Sequence, residues 1–81
     1  MDKVYNLANE LCEQVEKTMR DTYKVKVVGH FEIKDYLVIM SFATDKKMVR
    51  LTYFKEEILK GVSAITVMTL LVEDFGLISA Q

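Results

Sequence analysis

YKVKVVGHFEIKDYLVIMSFATDKKMVRLTY, running from Tyr23 to Tyr53, is the stretch whose periodicity decides the fold. From Tyr23 onward the side chains alternate. Val25, Val27, Gly29, Phe31 and Ile33 point one way, and Lys24, Lys26, Val28, His30 and Glu32 point the other. A period of two with one wet side predicts a strand packed on one face only. Lys34-Asp35 marks a turn. Tyr36 to Ala43 is almost wholly apolar and predicts a central strand. Thr44-Asp45-Lys46-Lys47 makes the next turn, and Met48 to Tyr53 a third strand. Connections this short make the three strands antiparallel neighbours.

Two even-numbered hairpin loops would fix which residues share a face. Val27, Phe31, Tyr36, Val38, Met40 and Phe42 then line one side, joined by Val49, Leu51 and Tyr53. The other side holds Val28, Leu37, Ile39, Ala43 and Met48, with Lys24, Lys26, His30, Arg50 and Thr52 around them. An odd loop would exchange the two faces.

The flanks read as helices. From Asp2 to about Thr22, apolar residues fall at Val4, Leu7, Ala8, Leu11, Val15 and Met19, the spacing of one buried stripe. Asp2 suits the N-cap, and Glu13–Lys17 and Glu16–Arg20 are i, i+4 pairs in the favourable order. From Lys55 to Phe75, Ile58, Val62, Ile65, Met68, Leu71, Val72 and Phe75 follow a helical stripe. Gly76-Leu77 resembles a helix stop. Gly61 and the β-branched residues after it predict a break there, or alternatively a fourth strand within 62–72. The expected architecture is therefore α+β, in the order α-β-β-β-α, with a three-stranded antiparallel sheet and the helices on one face. One domain is expected over 1–81, since the chain has no Pro and no linker.

Composition narrows the function classes. The chain has 81 residues and a formal net charge of −1, which gives no bulk attraction to nucleic acid or to an anionic membrane. The uncharged run from Gly61 to Val72 is shorter than the roughly 18 residues that span a bilayer. Met1-Asp2-Lys3-Val4 leads straight into an amphipathic segment, so no signal peptide is read, and one Cys without a partner fits a reducing, cytoplasmic setting. A core this small usually needs a metal, disulfides or a second subunit. Disulfides within the chain and a metal site are both disfavoured by a single Cys and a single His, which leaves a homodimer as the expectation.

The residues with chemical potential read as structural. His30 has no second His, Cys or carboxylate at ligand spacing. Cys12 sits beside Ala8 and Val15 as a small buried hydrophobe. Glu10, Glu13 and Glu16 are interleaved with Lys17 and Arg20 as an ordinary solvated face. Glu73-Asp74 is less ordinary, since acids at a helix C-terminus oppose the macrodipole unless a cation answers them. The set Lys24, Lys26, Lys46, Lys47 and Arg50, interleaved with Tyr23 and Tyr53, guards the sheet edges or contacts phosphates. With three Gly in the chain there is no phosphate-binding loop, and no cofactor is expected.

The order α-β-β-β-α resembles that of the double-stranded-RNA-binding domain, in topology alone. That family places Gly-Pro-x-His before its second strand and Lys-Lys-x-Ala-Lys at the start of its second helix. Here Gly29-His30 lacks the Pro, and the helix opens Lys55-Glu56-Glu57, which repels phosphate.

The sequence thus predicts a non-enzymatic protein-interaction module. It is expected to be homodimeric and to act as a small regulator, inhibitor or assembly adaptor. Its partner-binding residues are expected at Val28, Leu37, Ile39, Met48, Lys24, Lys26 and Arg50. The alternative is a nucleic-acid-associated protein using the basic sheet-edge patch. A site for a substrate or small ligand, formed across a dimer interface, ranks third.

Overall fold

The computed structural model describes residues 2–77. Its elements run α1 (Lys3–Tyr23), β1 (Val28–Lys34), β2 (Leu37–Ala43), β3 (Met48–Phe54), α2 (Lys55–Lys60) and α3 (Ala64–Phe75). The three strands form one antiparallel sheet in the order β1-β2-β3. The α-β-β-β-α order holds, and residues 62–72 form a connection and a helix rather than a strand.

Both hairpin loops are even, and the strand residues expected on the inner face lie there, Tyr36 excepted. Gly29 faces Phe42, Phe31 faces Met40 and Ile33 faces Val38. Across the second ladder, Val38 faces Tyr53, Met40 faces Leu51 and Phe42 faces Val49. These residues make the inner face. Val38, Met40 and Phe42 of the central strand are fully buried against Val4, Ala8, Leu11, Val15 and Met19 of α1, Ile58 of α2, and Val67 and Leu71 of α3.

Gly29 lets α1 come close. A Cβ at this position would lie 3.1 Å from the Phe42 ring and 3.4 Å from the Cys12 Cβ. The Glu16 carboxylate closes the same contact by accepting the Gly29 N–H at 2.7 Å. Tyr5 stands edge-on to Phe31 with ring centroids 5.1 Å apart. Cys12 is buried as expected, and burial, with Glu16 and Glu13 nearby, pushes its thiol up to about 12.

Helix ends follow their capping chemistry. Asp2 accepts the Val4 N–H at 2.9 Å, and Ser63 accepts the Thr66 N–H at 3.2 Å. The Glu57 carboxylate accepts the Phe54 N–H at 2.9 Å as α2 begins. The break between the last two helices falls at Gly61, where φ is +109°, a conformation that strains any residue with a Cβ. α3 ends in a Schellman motif, with Gly76 N–H on Glu73 O and Leu77 N–H on Val72 O.

Several expectations need correction. The strand expected from Tyr23 starts at Val28, because α1 ends in a left-handed residue, Lys24, at φ 58°. Val25 and Val27 still turn inward, but residues 25–27 have no strand opposite them. The first turn is Asp35-Tyr36, one residue later than read, with Asp35 at φ 55°. Tyr36 therefore lies in the turn, 80% exposed, and not on the inner face. The i, i+4 ion pairs of α1 do not form. Among the described residues the ion pair is Arg20–Asp21, at 3.5 Å on the surface. Glu16 goes to the strand-edge amide and Glu13 to Asn9, since exposed helical pairs are worth only about 0.3 kcal/mol.

Candidate interaction surface

Every described helix lies on the inner side, and among the described residues none covers the outer face of the sheet. The register orders it into four rows. Val28, Ala43 and Met48 form the first; His30, Ser41 and Arg50 the second. Glu32, Ile39 and Thr52 form the third, and Lys34, Leu37 and Phe54 the fourth. The apolar residues expected on this face are all there, but they do not make one strip. The polar second row separates Val28 and Met48 from Ile39 and Leu37.

The structure gathers four of the expected residues at one end. Lys24, Lys26, Val28, Ala43 and Thr44 line a shallow groove, and Met48 is the cross-strand neighbour of Ala43. Val28 and Met48 are each 56% exposed there. Arg50 lies one row in, Ile39 two rows in, and Leu37 at the opposite end. That opposite end carries two aromatic residues sequence reasoning did not assign to a site. Phe54, 59% exposed, and Tyr36 line a groove with Lys55 and Glu56. The signal was present, since Phe54 continues the outward parity of Arg50 and Thr52.

The basic set divides. Lys24 is drawn back to its own helix, its Nζ donating to Asp21 O at 3.0 Å. Lys47 turns to the helical side and donates to Asp74 O at 2.6 Å. It is thus Lys47, from the second hairpin turn, that meets the C-terminal dipole of α3. Lys26 and Arg50 stay with the sheet.

Little else offers chemistry. Among the described residues no three His, Cys, Asp or Glu side chains gather as metal ligands. His30 is exposed on the outer face. The Tyr53 hydroxyl lies on the inner side with no hydrogen-bond partner among the described residues, and burial, then the Glu57 carboxylate, pushes its pKa up. No described helix is long and apolar enough to cross a membrane. The chain matches no protein-family model, no curated protein and no solved structure.

Proposed function

We propose that this chain is a non-enzymatic protein-interaction module that self-associates and presents its outer sheet face to a protein partner, as a small regulator, inhibitor or assembly adaptor. One observation carries the reading: among the described residues the helices all lie on one side of the sheet, so Val28, Met48 and Phe54 stand exposed on the other, with Leu37 and Ile39 part-buried beside them. Half-exposed aliphatic and aromatic side chains interleaved with Lys26, Arg50 and Lys34 suit an apolar contact centre with a charged rim. The alternation of polar and apolar rows favours a partner that brings both kinds of group, with carboxylates opposite the second row.

Adjacent residues of β2 test it. Val38 is fully buried, and Ile39 lies on the outer face. Val38→Asp strands a charge in the core and is expected to unfold the domain, at a cost of about 4 kcal/mol or more. Ile39→Asp is expected to keep native circular dichroism. In affinity capture from the native host, a partner held by the wild-type bait is expected to be lost from the Ile39→Asp bait. Identical protein sets on the two baits refute the sheet face as the docking surface.

A further inference from the structure

The uncharged run that forms α3 is not buried all round. Ile65 is 77% exposed and Leu70 41% exposed, while Val67 and Leu71 are fully buried in the core and Met68 sits at its margin, 9% exposed. Beside Ile65 runs a groove. Met68, Thr69 and Val72 line it from α3, and Thr18, Thr22 and Tyr23 from the C-terminal half of α1. Among the described residues no charged side chain lines it. We infer that this groove is a two-fold seam, in which α3 of one chain lies antiparallel against α3 of a second copy. The inference rests on the self-association proposed above and assigns it a surface.

The stripe is self-complementary. Ile65, Met68, Thr69 and Val72 stand at i, i+3, i+4 and i+7, the spacing of one helix face. Read in the opposite direction, the same face sets Ile65 against the partner's Val72 and Met68 against the partner's Thr69. The pairing closes on itself, as an isologous contact requires.

Charge chooses the orientation and the occupant. α3 has no acidic residue in its first turn and no basic residue in its last. Its C-terminal turn instead carries Glu73 and Asp74, both exposed and both opposing the helix's own dipole. Lys47 answers the backbone carbonyl of Asp74, not the carboxylates. An antiparallel second copy brings each acidic end beside the other helix's acid-free N-terminus. What is unfavourable within one chain becomes favourable between two. The outer sheet face gives no such match. Its Lys34 and Arg50 meet one carboxylate, Glu32, so two copies stacked there would repel.

Size sets the expected strength. A standard interface takes about 800 Å² from each partner, about one-seventh of this chain's 5646 Å² surface. α3 is about 18 Å long at 1.5 Å per residue, so the flank of α1 is a necessary part of the seam. A micromolar dissociation constant is expected.

Sedimentation equilibrium of the full chain tests this with three variants. Wild type is expected to dimerise at micromolar concentration. Ile65→Glu keeps the fold, since the side chain is exposed and Glu is a better helix former, and raises the dissociation constant at least tenfold. Glu73→Lys has effects of opposite sign. It raises the melting temperature of the monomeric Ile65→Glu background by relieving the dipole, yet weakens the dimer about threefold. Ile39→Asp leaves the dimer unchanged. If Ile65→Glu dimerises as wild type does, the seam is wrong. If Ile39→Asp then dissociates the dimer, self-association survives on the sheet face. A monomeric wild type at high concentration overturns both the seam and the self-association.

Discussion

Gly29→Ala tests how tightly the Phe42 ring packs over β1. Gly29 sits on the inner face opposite Phe42, and an added Cβ meets two ring carbons at 3.1 and 3.3 Å and the Cys12 Cβ at 3.4 Å. The ring is fully buried and cannot swing into solvent. α1 cannot simply back away, because Glu16 is tied to the Gly29 N–H. Overpacking of this kind costs about 1–3 kcal/mol. Against it, replacing Gly by Ala reduces unfolded-chain entropy and stabilises by about 0.4–1 kcal/mol. The clash wins, with a net loss of about 1–2 kcal/mol. For a domain of this size that is a fall in Tm of roughly 10 °C. Urea unfolding followed by circular dichroism measures it. Phe42→Leu in the same chain supplies the control. The smaller side chain makes room, so the double variant should be more stable than the sum of the single losses by at least about 0.5 kcal/mol. A Gly29→Ala protein as stable as wild type, or a strictly additive double variant, refutes the tight packing of the Phe42 ring over Gly29.

Further outcomes follow from other contacts. Lys24 holds a left-handed conformation at the end of α1, so Lys24→Gly should raise stability by about 1 kcal/mol in urea unfolding; a loss would show the residue unstrained. The Cys12 thiol titrates near 12 in the fold against 9 for an unperturbed thiol, so its raised value stabilises the native state fully below pH 9. That contribution drains away as pH rises from 9 towards 12, because the unfolded chain then gives up the proton first. Alkylation by iodoacetamide at pH 8 should accordingly be slow in the folded protein and fast in urea. Nucleic acid should bind weakly at physiological salt; tight binding that collapses on changing Lys26 and Arg50 to Glu would put the alternative, the basic patch, ahead of the interaction module.

What the sequence made legible was whatever depends on period and parity. The apolar stripe of α1, the second turn, and the division of β2 into Val38, Met40 and Phe42 on one side and Leu37 and Ile39 on the other needed no tertiary information, while the first turn was placed one residue early. Even the break at Gly61 showed, because β-branched residues clustered just after a glycine. What escaped was decided between distant segments. Glu16 reaches Gly29 instead of pairing with Arg20 one turn away, and Lys47 crosses to the end of α3. Neither choice has a local signature. The loss of strand from residues 25–27 is similar. Their alternation is real and turns Val25 and Val27 inward, but a strand also needs a neighbour to bond, and β2 has already ended. The outer face was legible in its membership and not in its pattern. Listing Val28, Ile39 and Met48 together says nothing of the row of His30, Ser41 and Arg50 between them.

The hydrogen bond from Gly29 to Glu16 sets a limit on how this sheet can grow. A sheet with two bare margins can recruit a strand on each side and extend without end, as fibrils do. Here one margin has its Gly29 amide taken by a carboxylate of the overlying helix, with Tyr5 standing against Phe31 further along. At the far end of the other margin, Glu57 holds the Phe54 amide. These bonds blunt one end of each margin and leave, among the described residues, only short runs open: Phe31 to Ile33 on β1 and Met48 to Thr52 on β3. A strand added at either side gains few bonds before it meets a blocked amide. A crowded solution of this protein, warmed until strands begin to find each other, should therefore build threads only slowly.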